Sequence, residues 1–193
     1  MGPMSENPPT EAGPLENVAA EIERHVGATG WDQPPQIFAL VDTVELLRAQ
    51  PGLAGEVGGE TTAVPAGSLT PVEQEPLPDA PLDETLGRIA WPEGVRGCAL
   101  VHEIVVLPPG AEEEMPADAD AAEYAARHPD RREARLAVAV LRDGTRASVV
   151  RVRGNAGTDG MDRPDSMDDT DDSVLTAPDI APNLAEALLA TLR

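Results

Sequence analysis

The 193-residue chain contains no lysine and very few aromatic residues. All fourteen of its basic residues are arginines, and it has one Phe, one Tyr and two Trp. Because aromatic side chains bury the largest areas, the core must be filled mainly by valine, leucine, isoleucine and alanine. With 29 alanines and 20 prolines, the composition is typical of a high-GC genome.

Cysteine, positive charge and long apolar segments are also scarce. The single cysteine, Cys98, excludes an internal disulfide and is predicted to be a small core residue. The net charge of −21 argues against nucleic acid and anionic membranes as partners. The longest apolar run is interrupted by His102 and Glu103, and no signal peptide is visible. We therefore expect a cytoplasmic protein with no membrane association.

Signatures of common catalytic and metal sites are missing as well. The sequence has no P-loop, dinucleotide fingerprint or nucleophile elbow, and its three histidines lack ligand spacing. We therefore expect no cofactor and no metal. His102 beside Glu103 is the one candidate for general acid–base chemistry. Adjacent residues of a strand point to opposite faces, so a structural role for this histidine is favoured.

The region from Arg131 to Arg153 is the most informative part of the sequence. It holds seven of the fourteen arginines and two strand-forming runs, Arg135–Leu141 and Ala147–Val152, separated by Asp143-Gly144. This dipeptide favours a β-hairpin with a two-residue turn, which would place Val140 opposite Ala147.

The two faces of this hairpin differ in polarity. In the predicted register the core face carries Leu136, Val138, Val140 and Val149. The reverse face is only half polar and must be covered by a helix of the same chain, a second subunit or a partner. We predict it to be a partner-binding face, formed by Arg135, Ala137, Ala139, Leu141, Arg146, Val150 and Val152.

Hydrophobic periodicity predicts the remaining elements. An apolar stripe after Pro14 and the leucines after Pro182 indicate helices at the two ends. Ile37–Val41 and Cys98–Leu107 are predicted strands, and Cys98–Leu107 is apolar on both faces. Three short helical segments are predicted: one capped by Asp42, a turn capped by Asp83 that runs through Leu86 and Ile89, and a helix at Asp118–Arg127 capped by Asp118. The fold class is α+β, with an antiparallel or mixed sheet of about four strands packed against N- and C-terminal helices.

The regions between these elements are rich in Pro, Gly, Glu and Asp. Residues 1–13 are predicted to be a disordered tail, and residues 14–193 a single domain with mobile loops at about 55–81, 108–117 and 155–173. Seven aspartates lie between positions 159 and 172, without the spacing of an EF-hand. Three roles are open for these aspartates: they form a solvated loop, they shield the arginine-rich hairpin, or they bind a cation. A block of like charges favours the solvated loop.

Three sequence segments resemble a family of small, acidic, uncharacterised actinobacterial proteins with no assigned activity. These segments are WDQPPQIFALVDTVELL (31–47), RHPDRREARLAVAVLRDGTRAS (127–148) and DDSVLTAPDIAPNLAEALLATLR (171–193). The resemblance implies a cytoplasmic protein and supplies no catalytic residues. The order of helix, sheet and terminal helix is also similar, at fold level only, to bacterial type III secretion chaperones.

Taken together, the sequence predicts a non-catalytic cytoplasmic protein that binds another protein, as an adaptor, chaperone-like factor or regulator. A homodimer is a possible arrangement. The alternative is a small enzyme that uses His102 or Glu103 as a general acid or base.

Overall fold

An antiparallel sheet of six strands organises the computed structural model, which describes residues 13–53, 64–78, 80–108, 110–111, 113–116, 120–153, 174–177 and 180–193. The strands are β1 (Gln36–Asp42), β2 (Leu69–Glu73), β3 (Val95–Val106), β4 (Arg132–Leu141), β5 (Arg146–Val152) and β6 (Val174–Ala177). The α-helices of this part of the chain are α1 (Pro14–Gly27), α2 (Thr43–Ala49), α3 (Leu82–Leu86), α4 (Ala121–Arg127) and α5 (Pro182–Thr191).

The strands lie in the order β2-β1-β3-β4-β5-β6, and every neighbouring pair is antiparallel. The predicted α+β class is confirmed, but the sheet has six strands instead of about four. The two strands that were missed are the edge strands β2 and β6. They have five and four residues, and β2 lies inside the predicted loop 55–81. Such short segments carry little periodicity of their own, because their pairing depends on the neighbouring strand.

Helices from the two ends of the chain cover opposite faces of the sheet. We call these the α1 face and the α5 face. On the α1 face, the predicted helical stripe (Leu15, Val18, Ile22, Val26) is buried against Phe38, Leu40, Ala99, Val101, Ala137, Ala139, Ala147 and Val149. On the α5 face, Ala185, Leu188 and Leu192 pack with Ile37, Ala39, Cys98, Leu100, Leu136, Val138, Val140 and Val150. The sheet is therefore the middle layer of three.

Strand β3 lies at the centre of the sheet, between β1 and β4. Leu100 belongs to the core on the α5 face and Val101 to the core on the α1 face. The predicted central position with cover on both sides is therefore confirmed. A strand of this kind reads as a continuous apolar run because neither of its faces meets water.

The β4–β5 hairpin forms, but its predicted register is wrong by one residue. The backbone N–H of Leu141 donates to the carbonyl of Thr145, which leaves a three-residue loop with Gly144 at φ 91°. Val140 therefore pairs with Arg146 and not with Ala147. A three-residue loop with glycine in the left-handed region is the next commonest hairpin connection after the two-residue turn.

This change of register moves residues of β5 between the two faces, because side chains alternate along a strand. Val149 pairs with Ala137 on the α1 face, whereas Val150 pairs with Leu136 on the α5 face. The predicted partner-binding face is therefore divided, since its β5 residues Val150 and Val152 lie on the side opposite to Ala137.

The capping predictions have different outcomes at the short helices. The predicted cap at Asp83 is wrong, because Asp83 lies inside α3 and the N-cap residue is Pro81. The Asp42 carboxylate accepts a hydrogen bond of 3.0 Å from the Glu45 N–H, as predicted. Helix α4 is capped by Asp120, whose carboxylate accepts from the Glu123 N–H at 2.9 Å, and so the predicted cap at Asp118 is wrong. Both residues are aspartates in an Ala-rich segment, and the sequence does not distinguish between them.

Gly97 of β3 provides a test of the strand packing. A Cβ atom at this position would lie 2.2 Å from the Val140 carbonyl oxygen, which belongs to the rigid backbone of β4. We predict that Gly97→Ala lowers the free energy of unfolding by about 2 kcal/mol because the two strands must separate. Urea unfolding measures the change. Gly94→Ala is the matched control, since nothing lies within 4 Å of its added Cβ. Equal urea midpoints for the two variants would contradict the described approach of β3 and β4.

Candidate functional site

The residues of the predicted partner-binding face are only partly accessible. Arg135, Ala137 and Ala139 are buried beneath α1, and Val150 is buried on the α5 face. Leu141, Arg146 and Val152 are half-buried. The sequence left three kinds of cover open: a helix of the same chain, a second subunit or a partner. In the structure, helices of the same chain cover most of these residues.

A group of four charged side chains lies between α1 and the sheet, of which Glu23 and Arg135 are buried and Arg151 and Glu103 are half-buried. We call Glu23, Arg135, Arg151 and Glu103 the buried ion cluster. Glu23 of α1 is 1% exposed. Arg151 donates two hydrogen bonds to its carboxylate, from Nε to Oε1 at 2.8 Å and from Nη2 to Oε2 at 2.9 Å. Arg135 Nη1 donates to the same Oε1 at 3.5 Å. A bidentate pair of this geometry is among the stronger charge-assisted contacts in proteins.

Arg135 and Glu103 extend the cluster to the turn that follows α1. Glu103 accepts hydrogen bonds from the backbone N–H groups of Asp32 (2.9 Å) and Gln33 (3.2 Å). Arg135 Nη2 donates to the Gly30 carbonyl and, at 3.4 Å, to Glu103. The turn between α1 and β1 is thereby fastened to β3 and β4.

Trp31 completes the cluster on its outer side. The guanidinium carbon of Arg135 lies 4.4 Å from the centroid of the Trp31 ring, and that of Arg153 lies 5.3 Å from it. Asp32, the next residue, adopts a positive φ of 66°, which aspartate tolerates better than most residues. The indole therefore covers the buried Arg135 and contributes cation–π attraction to both arginines.

The buried ion cluster joins α1 to β3, β4 and β5. Both carboxylate oxygens of Glu23 are engaged, and α1 covers them. The prediction that Arg135 lies on the surface missed this cluster. One signal pointed to it: Arg135 alternates with the small residues Ala137 and Ala139, which let a helix approach closely. Glu23 lies off the apolar stripe that predicts α1, and yet it is buried.

His102 and Glu103 do not come together. His102 is half-buried and pairs with Leu136, which belongs to the core on the α5 face. Glu103 lies on the α1 face, within the buried ion cluster. Burial lowers the pKa of His102, and the nearby charge of Glu103 opposes that shift. The prediction that the two side chains point to opposite faces is confirmed.

Cys98 is a core residue, as predicted. Its sulfur lies 3.7 Å from both the Leu188 carbonyl oxygen and the Thr191 hydroxyl of α5. Trp91 Nε1 donates to the same hydroxyl at 2.9 Å. Burial raises the pKa of the thiol to about 11, because a thiolate there would lose its hydration. Cys98 therefore fastens α5 and is unsuited to act as a nucleophile.

The described residues include no group of three or more His, Cys, Asp or Glu placed to hold a metal ion. The seven aspartates between 159 and 172, and residues 1–12 of the predicted tail (1–13), lie outside the described residues. None of the described helices is long and apolar enough to cross a membrane.

Apolar side chains reach the surface at the edges of the sheet and at the end of β3. On β6, Val174 is 49% exposed and Leu175 is 62% exposed. On β2, at the other edge, Val72 is 39% exposed. An open groove of about 880 Å³ lies between the end of β3 and α4, with a lining that includes Val105, Leu107, Pro108, Met115, Ala121 and Ala125. Exposed apolar surface of this kind is characteristic of contacts between proteins.

Comparison with known proteins gives a family match that covers most of the chain. The family model described as PPA1309-like protein matches residues 15–193. The chain matches no curated protein and no solved structure. The similarity of layout to type III secretion chaperones therefore stays a prediction.

The buried ion cluster predicts a large effect for one substitution. Glu23→Gln removes the charge between two arginines, so we predict a loss of about 3 kcal/mol in the free energy of unfolding. Urea unfolding followed by tryptophan fluorescence measures the loss. Glu21→Gln is the control, because Glu21 is an exposed residue of the same helix. Near-equal stability of the two variants would show that Glu23 is not held by the arginines.

The lowered pKa of His102 predicts a pH dependence of stability. Below about pH 6.5 the unfolded chain binds a proton at this histidine that the folded chain resists, so stability falls as the pH falls. We predict that the decrease in unfolding free energy from about pH 7.5 to about pH 5.5 is smaller in His102→Gln than in the unaltered protein. An equal decrease in both proteins would contradict burial as the cause of the shift.

Proposed function

This chain belongs to the PPA1309-like protein family, and we propose that it is a non-catalytic cytoplasmic protein that binds another protein. The observation that carries the proposal is the pair of exposed apolar side chains on β6, Val174 and Leu175. They are neighbours in a strand and point to opposite faces, so both sides of this sheet edge are apolar. An adaptor, chaperone-like or regulatory role is consistent with such a surface.

The alternative, a small enzyme, has less support. His102 and Glu103 lie on opposite faces of β3, and Glu103 is engaged by the Asp32 and Gln33 N–H groups and by Arg135. General acid–base catalysis requires a group within hydrogen-bond reach of the reacting atom. The cavity next to the α1–β1 turn, about 240 Å³ in volume, contains His25 and Glu73 in its lining, and both side chains are largely exposed.

Other parts of the proposal follow from sequence and charge. The net charge of −21 supports a protein partner over nucleic acid. Leu141, Arg146 and Val152, the half-buried residues of the predicted partner-binding face, are secondary candidates for contact. The arginine-only basic residues and the abundance of alanine and proline support an actinobacterial source.

Affinity capture from the native cytoplasm tests the proposal. The bait proteins are the unaltered chain, a Val174→Ser/Leu175→Ser variant and a Val72→Ser control at the other sheet edge. We predict that a protein captured in stoichiometric amounts by the unaltered chain and by the control is reduced at least about fivefold with the β6 variant. All three residues are exposed, so circular dichroism should show the same fold in each bait.

Two results would overturn the proposal. One is the same set of captured proteins with the β6 variant and with the unaltered chain. The other is turnover of a small molecule from a cytoplasmic extract that is abolished by His102→Gln and unaffected by the β6 variant.

A further inference from the structure

The cleft next to the α1–β1 turn is rich in hydrogen-bond acceptors and poor in donors, and we infer that it binds a small organic cation with N–H donors, of the alkylammonium class. We call it the Glu73 cleft. Its volume is about 240 Å³, and its polar lining consists of His25, Thr29, Gln33, Gln36, Glu73 and Gln74. The inference goes beyond the proposed function, because β2, which carries Glu73, and β6 lie at opposite edges of the sheet.

Most hydrogen-bond donors of the lining are already used within the protein. The backbone N–H of Gln33 donates to Glu103 at 3.2 Å, and that of Gln74 donates to a carbonyl of β1 at 3.0 Å. The N–H and the hydroxyl of Thr29 both donate to the carbonyl of Val26, at 3.1 and 2.7 Å. Prolines, which have no backbone N–H, also line the cleft: Pro34, Pro35 and Pro76.

The side-chain amides of two glutamines keep their acceptors available. Nε2 of Gln33 donates to the carbonyls of Thr29 and Trp31, at 3.5 and 3.4 Å. Nε2 of Gln74 donates to the carbonyl of Val72 at 2.9 Å. Because a carbonyl oxygen can only accept, these contacts fix which end of each amide is the nitrogen. The Oε1 atoms therefore remain as acceptors for a ligand.

Glu73 supplies negative charge to the cleft. Its side chain is 57% exposed, and its carboxylate accepts no hydrogen bond from the described residues. His25 Nε2 lies 3.9 Å from Oε2, which is beyond hydrogen-bond distance. His25 and Gln36 are the lining side chains with donors to spare, and the Gln36 amide also carries an acceptor. A cation with N–H donors would match Glu73 and the glutamine carbonyls, whereas an anion would be repelled.

The size and the apolar walls of the cleft limit the ligand. Sites for drug-sized ligands have volumes of roughly 300 to 1,000 Å³, and this cleft is smaller. Val26 and the three prolines contribute hydrocarbon surface to the lining. A short alkyl chain that ends in an ammonium group fits both features, because the chain can pack on the prolines while the charged end binds Glu73.

An NMR titration of the isotope-labelled full chain tests this inference. The probe is n-butylammonium, used at low salt and at about pH 8, where histidine is ordinarily neutral. A ligand of about five non-hydrogen atoms binds weakly, so we predict a Kd of about 1 to 10 mM. The amide shifts should centre on Gln33, Gln36 and Gln74.

Three ligands with the same alkyl chain are controls. Butyltrimethylammonium keeps the positive charge but has no N–H donor, n-butanol is neutral, and butyrate reverses the charge. We predict that each binds at least about tenfold more weakly than n-butylammonium, because each lacks the N–H donors, the charge or both.

A variant and its matched control locate the binding site. Glu73→Gln removes the carboxylate of the cleft, and Glu75→Gln removes an exposed carboxylate two positions away that is not part of the lining. We predict that Glu73→Gln raises the Kd for n-butylammonium at least about fivefold, and that Glu75→Gln changes it less than about twofold. Both side chains are exposed, so neither substitution removes packing from the core.

Four results would overturn the inference. They are the absence of saturable shifts up to about 50 mM n-butylammonium, equal binding of butyltrimethylammonium, an unchanged Kd in Glu73→Gln, and shifts centred outside the cleft. The capture experiment depends on Val174 and Leu175 and not on this cleft, so the proposed function and this inference can fail independently.

Discussion

The structure depends on the burial of one carboxylate, that of Glu23, between two arginines. Arg135 and Arg151 face each other directly across β4 and β5. Like charges in such a pair repel, and the arrangement is stable only with a negative charge close to both. Glu23 supplies that charge from α1, through a bidentate contact with Arg151 and a longer contact with Arg135. The same interaction therefore stabilises both the position of α1 and the observed register of the hairpin.

A second set of contacts fixes the other face of the sheet. Arg142, in the hairpin loop, donates hydrogen bonds to the carbonyl oxygens of Leu192, just beyond α5, and of Val95 at the start of β3. Cys98 and Trp91 both meet Thr191 at the end of α5. The loop of one hairpin thus anchors the C-terminal helix, while the strands of that hairpin anchor the N-terminal helix.

These two anchors explain where a partner would bind. Helices of the same chain occupy both faces over β3, β4 and β5, and this cover includes most of the residues that the sequence assigned to a partner. Among the described residues, the exposed apolar surface lies at the edges of the sheet, on β6 above all, and at the end of β3. The proposed binding function therefore moves from the face of the hairpin to the edge of the sheet, one strand away.

Elements with their own periodicity could be predicted from the sequence. The stripe of α1, the two-sided strand β3 and the hairpin strands all repeat apolar residues at the spacing of their structure. The hairpin register could not be predicted, because Asp-Gly fits a two-residue turn and also a three-residue loop with Gly144 in the left-handed region. The choice between these two loops determines which side chains of β5 contact α1.

The candidate site was hidden for a different reason. Glu23 and Arg151 are 128 positions apart in the sequence. A local sequence pattern does not predict a contact over that separation. Arginine in a strand is also normally exposed, so Arg135 was assigned to a surface. Strand β6 has only four residues and forms by pairing with β5, which the sequence alone did not reveal.

A double-mutant cycle tests the central claim most directly. The free energy of unfolding is measured for the unaltered protein, Glu23→Gln, Arg151→Gln and the double variant. Because the two side chains share a bidentate contact, the effects should not add, and the account predicts a coupling free energy of about 1 to 3 kcal/mol. Additive effects, with a coupling below about 0.3 kcal/mol, would contradict the claim that Glu23 holds the hairpin and α1 together.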